Sequence, residues 1–333
     1  MNHSSEIFLT GLTYELGEVV HDLDELTHVA PGVRQTLRDG DLETWRTTDR
    51  SIVELASGPL RGTVEALNDE ERAGVRKLIF ASNSVWDESL HTSVAVSALL
   101  DELGLPEVIP VGANMAWCAN FHLALELARM MIQTDGDECV LVVCADIWPK
   151  ERDRLVSPGV SVHSDAAAAF AVSSHGGPFR IGTTRFGIDP GLALMDRNSQ
   201  FVQYMGRVGE GLSALMTQTL GAAGLAPDMV ARVVLNNYNR WSCRTLAELG
   251  GFTEDHLYLD NVPRFAHALC VDNPINLCDL GSNGSALSPG DHLVLLGTGP
   301  CQWGVSVVDV VRPGVQVEVA AVGVGATGGP PLC

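Results

Sequence analysis

The chain has 333 residues, 46% apolar and 19% charged, enough for a large core built as one big domain or two intimate halves. Its 41 acidic and 21 basic residues give a formal net charge of −20, which argues against nucleic acid as a partner because a phosphate backbone selects a basic face. No apolar run reaches membrane-spanning length, Met1–Gly11 lacks the basic-then-apolar pattern of a signal peptide, and eight cysteines without a CxxC pair or zinc spacing fit a reduced cytoplasmic protein without a metal site.

In chain order, Ile7–Thr10 is predicted as a first strand. Leu16–Leu67, which includes Ser51–Ser57 and Gly58-Pro59, is more polar and reads as loops and helices over an entrance rather than core. Asn68-Asp69-Glu70-Glu71 has an N-cap and an acidic first turn, so a helix starts there. Lys77–Ala81 is a buried strand ending in the loop Ser82-Asn83-Ser84, and Thr92–Leu103 is an apolar helix closed by Gly104.

Val108–Val111 is a short strand that runs through small residues into Cys118. Apolar residues then fall on every face up to Met131, the pattern of a buried helix. Cys118 thus stands where a strand turns into a buried helix, where free N–H groups and the helix dipole favour a thiolate. One reading is a nucleophile that carries an acyl group as a thioester. The other is a small buried hydrophobe, the usual fate of a free cysteine.

Cys139–Ala145 is a continuous apolar strand of the kind buried on both faces. Ser164–Val172 begins polar and continues with four consecutive alanines, which let backbones approach closely. His175-Gly176-Gly177-Pro178 breaks the chain into 1–175 and 176–333. The second part alternates again: strand Phe179–Phe186, helix Leu212–Leu220, strand Val230–Leu235, helix Arg240–Leu249, short strand His256–Leu259, helix Asn273–Leu287, strands Leu293–Gly297 and Trp303–Val311. Arg312–Cys333 is an added strand or a poorly ordered tail. Two runs of alternation mean an α/β protein with strands between helix layers, built from two similar halves.

The order of these pieces resembles the β-ketoacyl-acyl-carrier-protein synthase III family of the thiolase fold. The residues that carry the resemblance are Cys118-Ala119-Asn120-Phe121, Ser164-Asp165 with Ala166–Ala169, Leu293–Leu296, and Gly297, Gly299 and Trp303-Gly304. The resemblance implies a five-layer αβαβα fold, a homodimer, and a cysteine acylated by coenzyme A or acyl-carrier-protein thioesters without a resident cofactor. It places the oxyanion hole at Cys118 and the turn holding Pro300 and Cys301. Thiolases have a second cysteine in that region, so Cys301 keeps that option open.

Two catalytic positions depart from the family. Its histidine position falls on Asn237, and its asparagine position falls on His267. If the two have exchanged roles, decarboxylative condensation survives. If they have not, His267 serves as a general base for an alcohol or amine that attacks acyl-Cys118, with Asp272 orienting it. The second reading resembles the family's acyltransferase branch, found in antibiotic pathways, and is the one preferred, with a small-molecule acceptor. A non-catalytic partner subunit is a third possibility. Asp272-Asn273-Pro274 is also a good helix start, so Asp272 has capping as an alternative role. His122 and His163 flank the site in sequence. Arg240 and Arg244 are the expected docking residues for a carrier protein or coenzyme A, with a solvated helix face as the alternative.

Overall fold

The computed structural model describes residues 6–84, 89–196, 199–282 and 287–312. The expected strand or tail in 313–333 lies outside them. Nine strands form the main sheet: β1 (Phe8–Leu16), β2 (Val75–Ala81), β3 (Ile109–Ala113), β4 (Cys139–Asp146), β5 (Ala166–Ser173), β6 (Phe179–Ile188), β7 (Val230–Val234), β8 (His292–Thr298) and β9 (Gln302–Val310). Their order is β7-β8-β9-β6-β1-β5-β4-β2-β3. Strands β1 and β6 join through a short antiparallel pairing, Phe8 with Arg180 and Leu9 with Phe179. The parallel pairs are β2 with β3, β2 with β4, and β7 with β8.

Six helices cover this sheet: α1 (Ile52–Ala66), α2 (Ser89–Glu102), α3 (Asn120–Met130), α4 (Phe201–Ala223), α5 (Arg240–Glu248) and α6 (Asp272–Ser282). Helices α3 and α6 lie between the two parts of the sheet, α3 against β2, β4, β8 and β9, and α6 against β1, β7 and β8. Helix α1 covers β1 and β5 from outside, and α4 covers β6 and β9. The result is the five-layer αβαβα thiolase-like arrangement.

The central layer is where apolar burial is most complete. Phe121 and Phe170 meet edge to face at 5.6 Å within a cluster that also holds Leu125, Val142, Ile275 and Leu295. The alanines of β5 let this tight layer close, since Ala166–Ala169 are buried on both faces. Strand β4 is likewise buried at all eight positions, the apolar run Cys139–Ala145 and then Asp146, which accepts from Asn83 N–H.

Helix α1 corrects the reading of Leu16–Leu67. Ser51 and Glu54 form a capping box, and Leu55, Ala56, Leu60 and Val64 are buried. Pro59 sits inside this helix and removes one ladder donor. Burial of the apolar face outweighs that loss, and Thr13 donates to the Pro59 carbonyl at 2.7 Å. Helix α4 is far longer than Leu212–Leu220, and His256–Leu259 is not a strand: it gives a short turn and a single bridge from Leu257 to Val233.

Candidate active site

Cys118 lies in a single 3₁₀ turn, Trp117–Ala119, that leads directly into α3. The turn is anchored from below by Asn120. Its side-chain oxygen accepts from the Ala116 N–H at 2.8 Å, and its amide donates to Ser82 O and Asn83 Oδ1 at 3.3 and 3.2 Å. Trp117, just before the cysteine, has φ of +52°, a left-handed conformation that a bulky residue rarely adopts.

The second reactive side chain comes from the other half of the chain. His267 is placed by its own backbone. Its N–H donates to Val162 O at 3.0 Å, and its carbonyl accepts from the Ser164 N–H at 2.8 Å. Ser164 Oγ also donates to the Phe265 carbonyl and accepts from Arg46 N–H. Thus the Ser164-Asp165 segment, 100 residues upstream, clamps the histidine loop. Asp165 is buried, accepts from Trp148 N and Thr48 N, and pairs with Arg154. Residues Ala266 and Leu269, on either side of His267, have φ of +52° and +55°.

The two side chains meet, with His267 Nε2 3.5 Å from Cys118 Sγ. On its far side His267 Nδ1 donates to Asp272 Oδ2 at 2.5 Å. The carboxylate also accepts from Asn237 N–H at 2.9 Å and Ala268 N–H at 2.7 Å, with the side chains of Asn236 and Asn237 donating at 3.4 and 3.3 Å. Cys118, His267 and Asp272 are therefore in one line, all buried. Asp272 is not acting as a cap on Asn273–Ile275: its oxygens face back toward the histidine loop. Burial works against a charged His267, yet the Asp272 carboxylate and then the Cys118 sulfur outweigh it and push the ring up to about 10.

Asn237 is placed differently from the exchanged-role expectation. Its amide nitrogen donates to Asp272, and its amide oxygen accepts from Asn276 Nδ2 at 2.9 Å. The turn after β7, closed by Tyr238 N–H on Asn236 O, brings the side chain to the carboxylate. Asn237 holds Asp272 with one amide N–H and Asn276 with its amide oxygen. Its sequence neighbour Tyr238 is the residue that reaches the site, its ring 4.9 Å from that of His267 and its hydroxyl on Thr298 O.

The β8–β9 turn packs on the Cys118 turn. A Cβ on Gly299 would lie 2.8 Å from Trp117 Cβ, and one on Gly297 would lie 2.6 Å from the Cys118 carbonyl. Pro300 cannot supply an oxyanion donor, because proline has no N–H. Its carbonyl instead accepts from Tyr204 Oη at 2.8 Å. Cys301 holds the turn through its own carbonyl, which accepts from Asp189 N–H, and its thiol donates to Gln302 at 3.2 Å.

His122 is structural. Burial pushes it down to about 3, only partly offset by its bond to Asn273. Its Nε2 meets Asn273 Oδ1 at 3.0 Å and its Nδ1 meets Ser306 Oγ at 2.8 Å, so the inferred tautomer carries its proton on Nε2. The ring occupies a slot made by the cross-strand pair Gly297 and Gly304. A Cβ on Gly304 would stand 2.7 Å from the His122 ring. Gly304→Ala should therefore cost roughly 1–3 kcal/mol by overpacking. Calorimetric unfolding checks this, and an unchanged midpoint would show that the slot has room to spare.

Arg240 and Arg244 do not form an open basic patch. Arg240 pairs with Asp41 at 2.5 Å and Glu254 at 3.0 Å, and Arg244 pairs with Glu248 at 2.8 Å and Glu254 at 3.9 Å. These carboxylates neutralise the helix face, which is the solvated-face alternative. No helix among the described residues is long and apolar enough to cross a membrane.

Residues 114–190, from just before Cys118 to just past the end of β6, match the family profile of 3-oxoacyl-[acyl-carrier-protein (ACP)] synthase III. Over this segment the chain is similar to ketosynthase III. Among solved structures, ChlB3, described as an acyltransferase, superposes with a TM-score of 0.78 at 21% identity, over 92% of this chain and 98% of its own. The 3-oxoacyl-(acyl carrier protein) synthase III of Pseudomonas aeruginosa PAO1 gives 0.73 at 16% identity, over 92% and 99%. The priming β-ketosynthase of the R1128 polyketide biosynthetic pathway gives 0.70 at 18% identity, over 92% and 97%. No curated protein matches the chain by sequence. The ketosynthase III-like fold thus covers nearly the whole chain, and the profile match includes Cys118.

Proposed function

We propose that this ketosynthase III-like chain is an acyltransferase that moves an acyl group from a coenzyme A or carrier-protein thioester, by way of Cys118, to a hydroxyl or amine of a small acceptor. The carrying observation is the line Cys118–His267–Asp272. That line has the parts of a nucleophile, a base and a carboxylate that orients the base. In it the Asn237 amide is tied to Asp272 and Asn276.

The chemistry follows from the proton on His267. Cys118 sulfur attacks the thioester carbonyl, and the imidazolium gives its proton to the departing thiolate. His267 is then neutral beside an uncharged thioester, and one of the two groups that raised its basicity is gone. The acceptor O–H or N–H loses its proton to Nε2 as its heteroatom bonds to the acyl carbon. The carbon–sulfur bond breaks, and Cys118 returns as a thiolate beside imidazolium. Asp272 stays charged throughout and holds the proton on Nδ1. N–H groups at Cys118 and in the Gly299–Gln302 turn are the candidates for holding the oxyanion.

The test offers the enzyme a range of acyl-coenzyme A donors with malonyl-coenzyme A or with a set of alcohols and amines. Ester or amide products without carbon dioxide release are expected. Carbon dioxide release coupled to a β-ketoacyl product would overturn the proposal in favour of condensation.

A further inference from the structure

His163 is a polar side chain of this site that the acyl-transfer steps leave unused. Its ring stacks on Trp148 with centroids 3.6 Å apart and planes 14° from parallel. The His267 ring is 5.3 Å away, tilted by 37°. The residue is only 8% exposed. Its backbone is occupied: the N–H donates to Arg154 O, and the carbonyl accepts from Arg154 Nη1.

The ring is another matter. Nδ1 is sealed from solvent and has no hydrogen-bond partner among the described residues. A buried polar atom without a partner is costly and uncommon. Phenylalanine would fill the same space on Trp148 without that cost, so packing alone does not account for an imidazole. Burial, with His267 and Arg154 nearby, holds the ring well below its ordinary protonation range. A neutral imidazole has one proton to place. On Nδ1 it would be a buried donor facing nothing, so the inferred tautomer carries it on Nε2.

We propose that His163 is an acceptor-binding residue, whose Nε2–H donates a hydrogen bond to an oxygen on the carbon adjacent to the one that bears the attacking hydroxyl. The inference rests on the reading of His267 as the base for that hydroxyl. The attacking oxygen must sit at His267 Nε2, and the neighbouring ring is placed to reach the next oxygen along. The acceptor class is an alcohol with an adjacent oxygen function, whether hydroxyl or ether. In the transfer, the acceptor O–H bond breaks toward His267, the oxygen–carbon bond forms and the carbon–sulfur bond to Cys118 breaks. His163 exchanges no proton.

The test compares 2-methoxyethanol with 1-butanol, two alcohols of the same shape that differ by one ether oxygen. Cys118 is first acylated with the acetyl thioester of N-acetylcysteamine, and loss of the adduct with ester formation is followed by mass spectrometry. The wild-type protein should favour 2-methoxyethanol by roughly threefold to tenfold more than His163→Phe does, the effect of one neutral hydrogen bond. Comparing with His163→Phe cancels the intrinsic reactivity difference of the two alcohols. His163→Gln, which keeps an N–H donor, should restore part of the preference and covers the case in which His163→Phe does not fold. Equal preference in wild-type and variant proteins, or none in the wild type, overturns the inference. If Cys118 takes no acyl group at all, it is the acyltransferase reading that fails.

Discussion

Cys118→Ala should take up no acyl group from any thioester donor, while the wild-type protein gains the mass of one acyl group per chain. Transfer to an acceptor should fall to background. The other cysteines among the described residues are buried. Cys139 and Cys243 are buried, and burial pushes each thiol up to about 12. Cys301 lies in the turn, with its thiol engaged by Gln302. An adduct of equal yield on Cys118→Ala, located by peptide mapping, would remove the nucleophile from the mechanism. The fold should survive, because sulfur to hydrogen at one site against the 3₁₀ turn removes little packing volume, and circular dichroism checks that.

Asp272→Asn carries the second large effect. The amide keeps the shape of the carboxylate but loses its charge, and it can present an N–H to a ring nitrogen that must itself donate. Turnover should drop on the order of 10³- to 10⁴-fold, the scale seen when a triad carboxylate is neutralised with geometry kept. The pH dependence of stability gives an independent readout. His267 has its folded pKa raised from 6.5 to about 10. Its contribution to stability is therefore full below about 6.5 and is lost as the pH rises through 10. Without Asp272, burial dominates and the folded-state value falls, so this alkaline loss should vanish in Asp272→Asn. Denaturant unfolding from pH 6 to 10 distinguishes the two. A variant that kept the wild-type slope would show that Asp272 does not set the charge of His267.

Much of the fold was legible because its signals are local. The apolar run of β4, the alanines of β5 and the break at 175–178 each announce themselves within ten residues. The exception was α1. Leu16–Leu67 reads as cover over an entrance, yet within it tertiary burial of Leu55 and Leu60 overrides the local cost of Pro59. The site was legible where chain order mattered, at Cys118 and His267. It was not legible where side-chain direction mattered. Asn237, Asn236 and Asn239 look alike in sequence, and only the turn after β7 aims Asn237 into Asp272 and brings Tyr238 to the site. Arg240 reads as an open charge because its partners Asp41 and Glu254 are remote in sequence or follow the helix, whereas Arg244 pairs with Glu248 at an i,i+4 spacing that is local. Trp148 on His163 was hidden for a similar reason: Asp165 holds Trp148 there through its backbone N–H, a contact that no local pattern encodes. Pro300 is a different case, since its missing N–H was there to be read from the sequence.

The left-handed residues bear on how this site can change. Trp117, Ala266 and Leu269 flank the two reacting side chains, and such conformations in residues other than glycine cost about 1–3 kcal/mol each. The surrounding clamps, Asn120 under the cysteine turn and Ser164 under the histidine loop, hold these angles in the folded chain. Their cost is met once, on folding, and not at each turnover. It follows that the reactive pair is a rigid inheritance, whereas the walls around it are free to vary. A glycine at Ala266 would gain stability only by loosening the aim of His267.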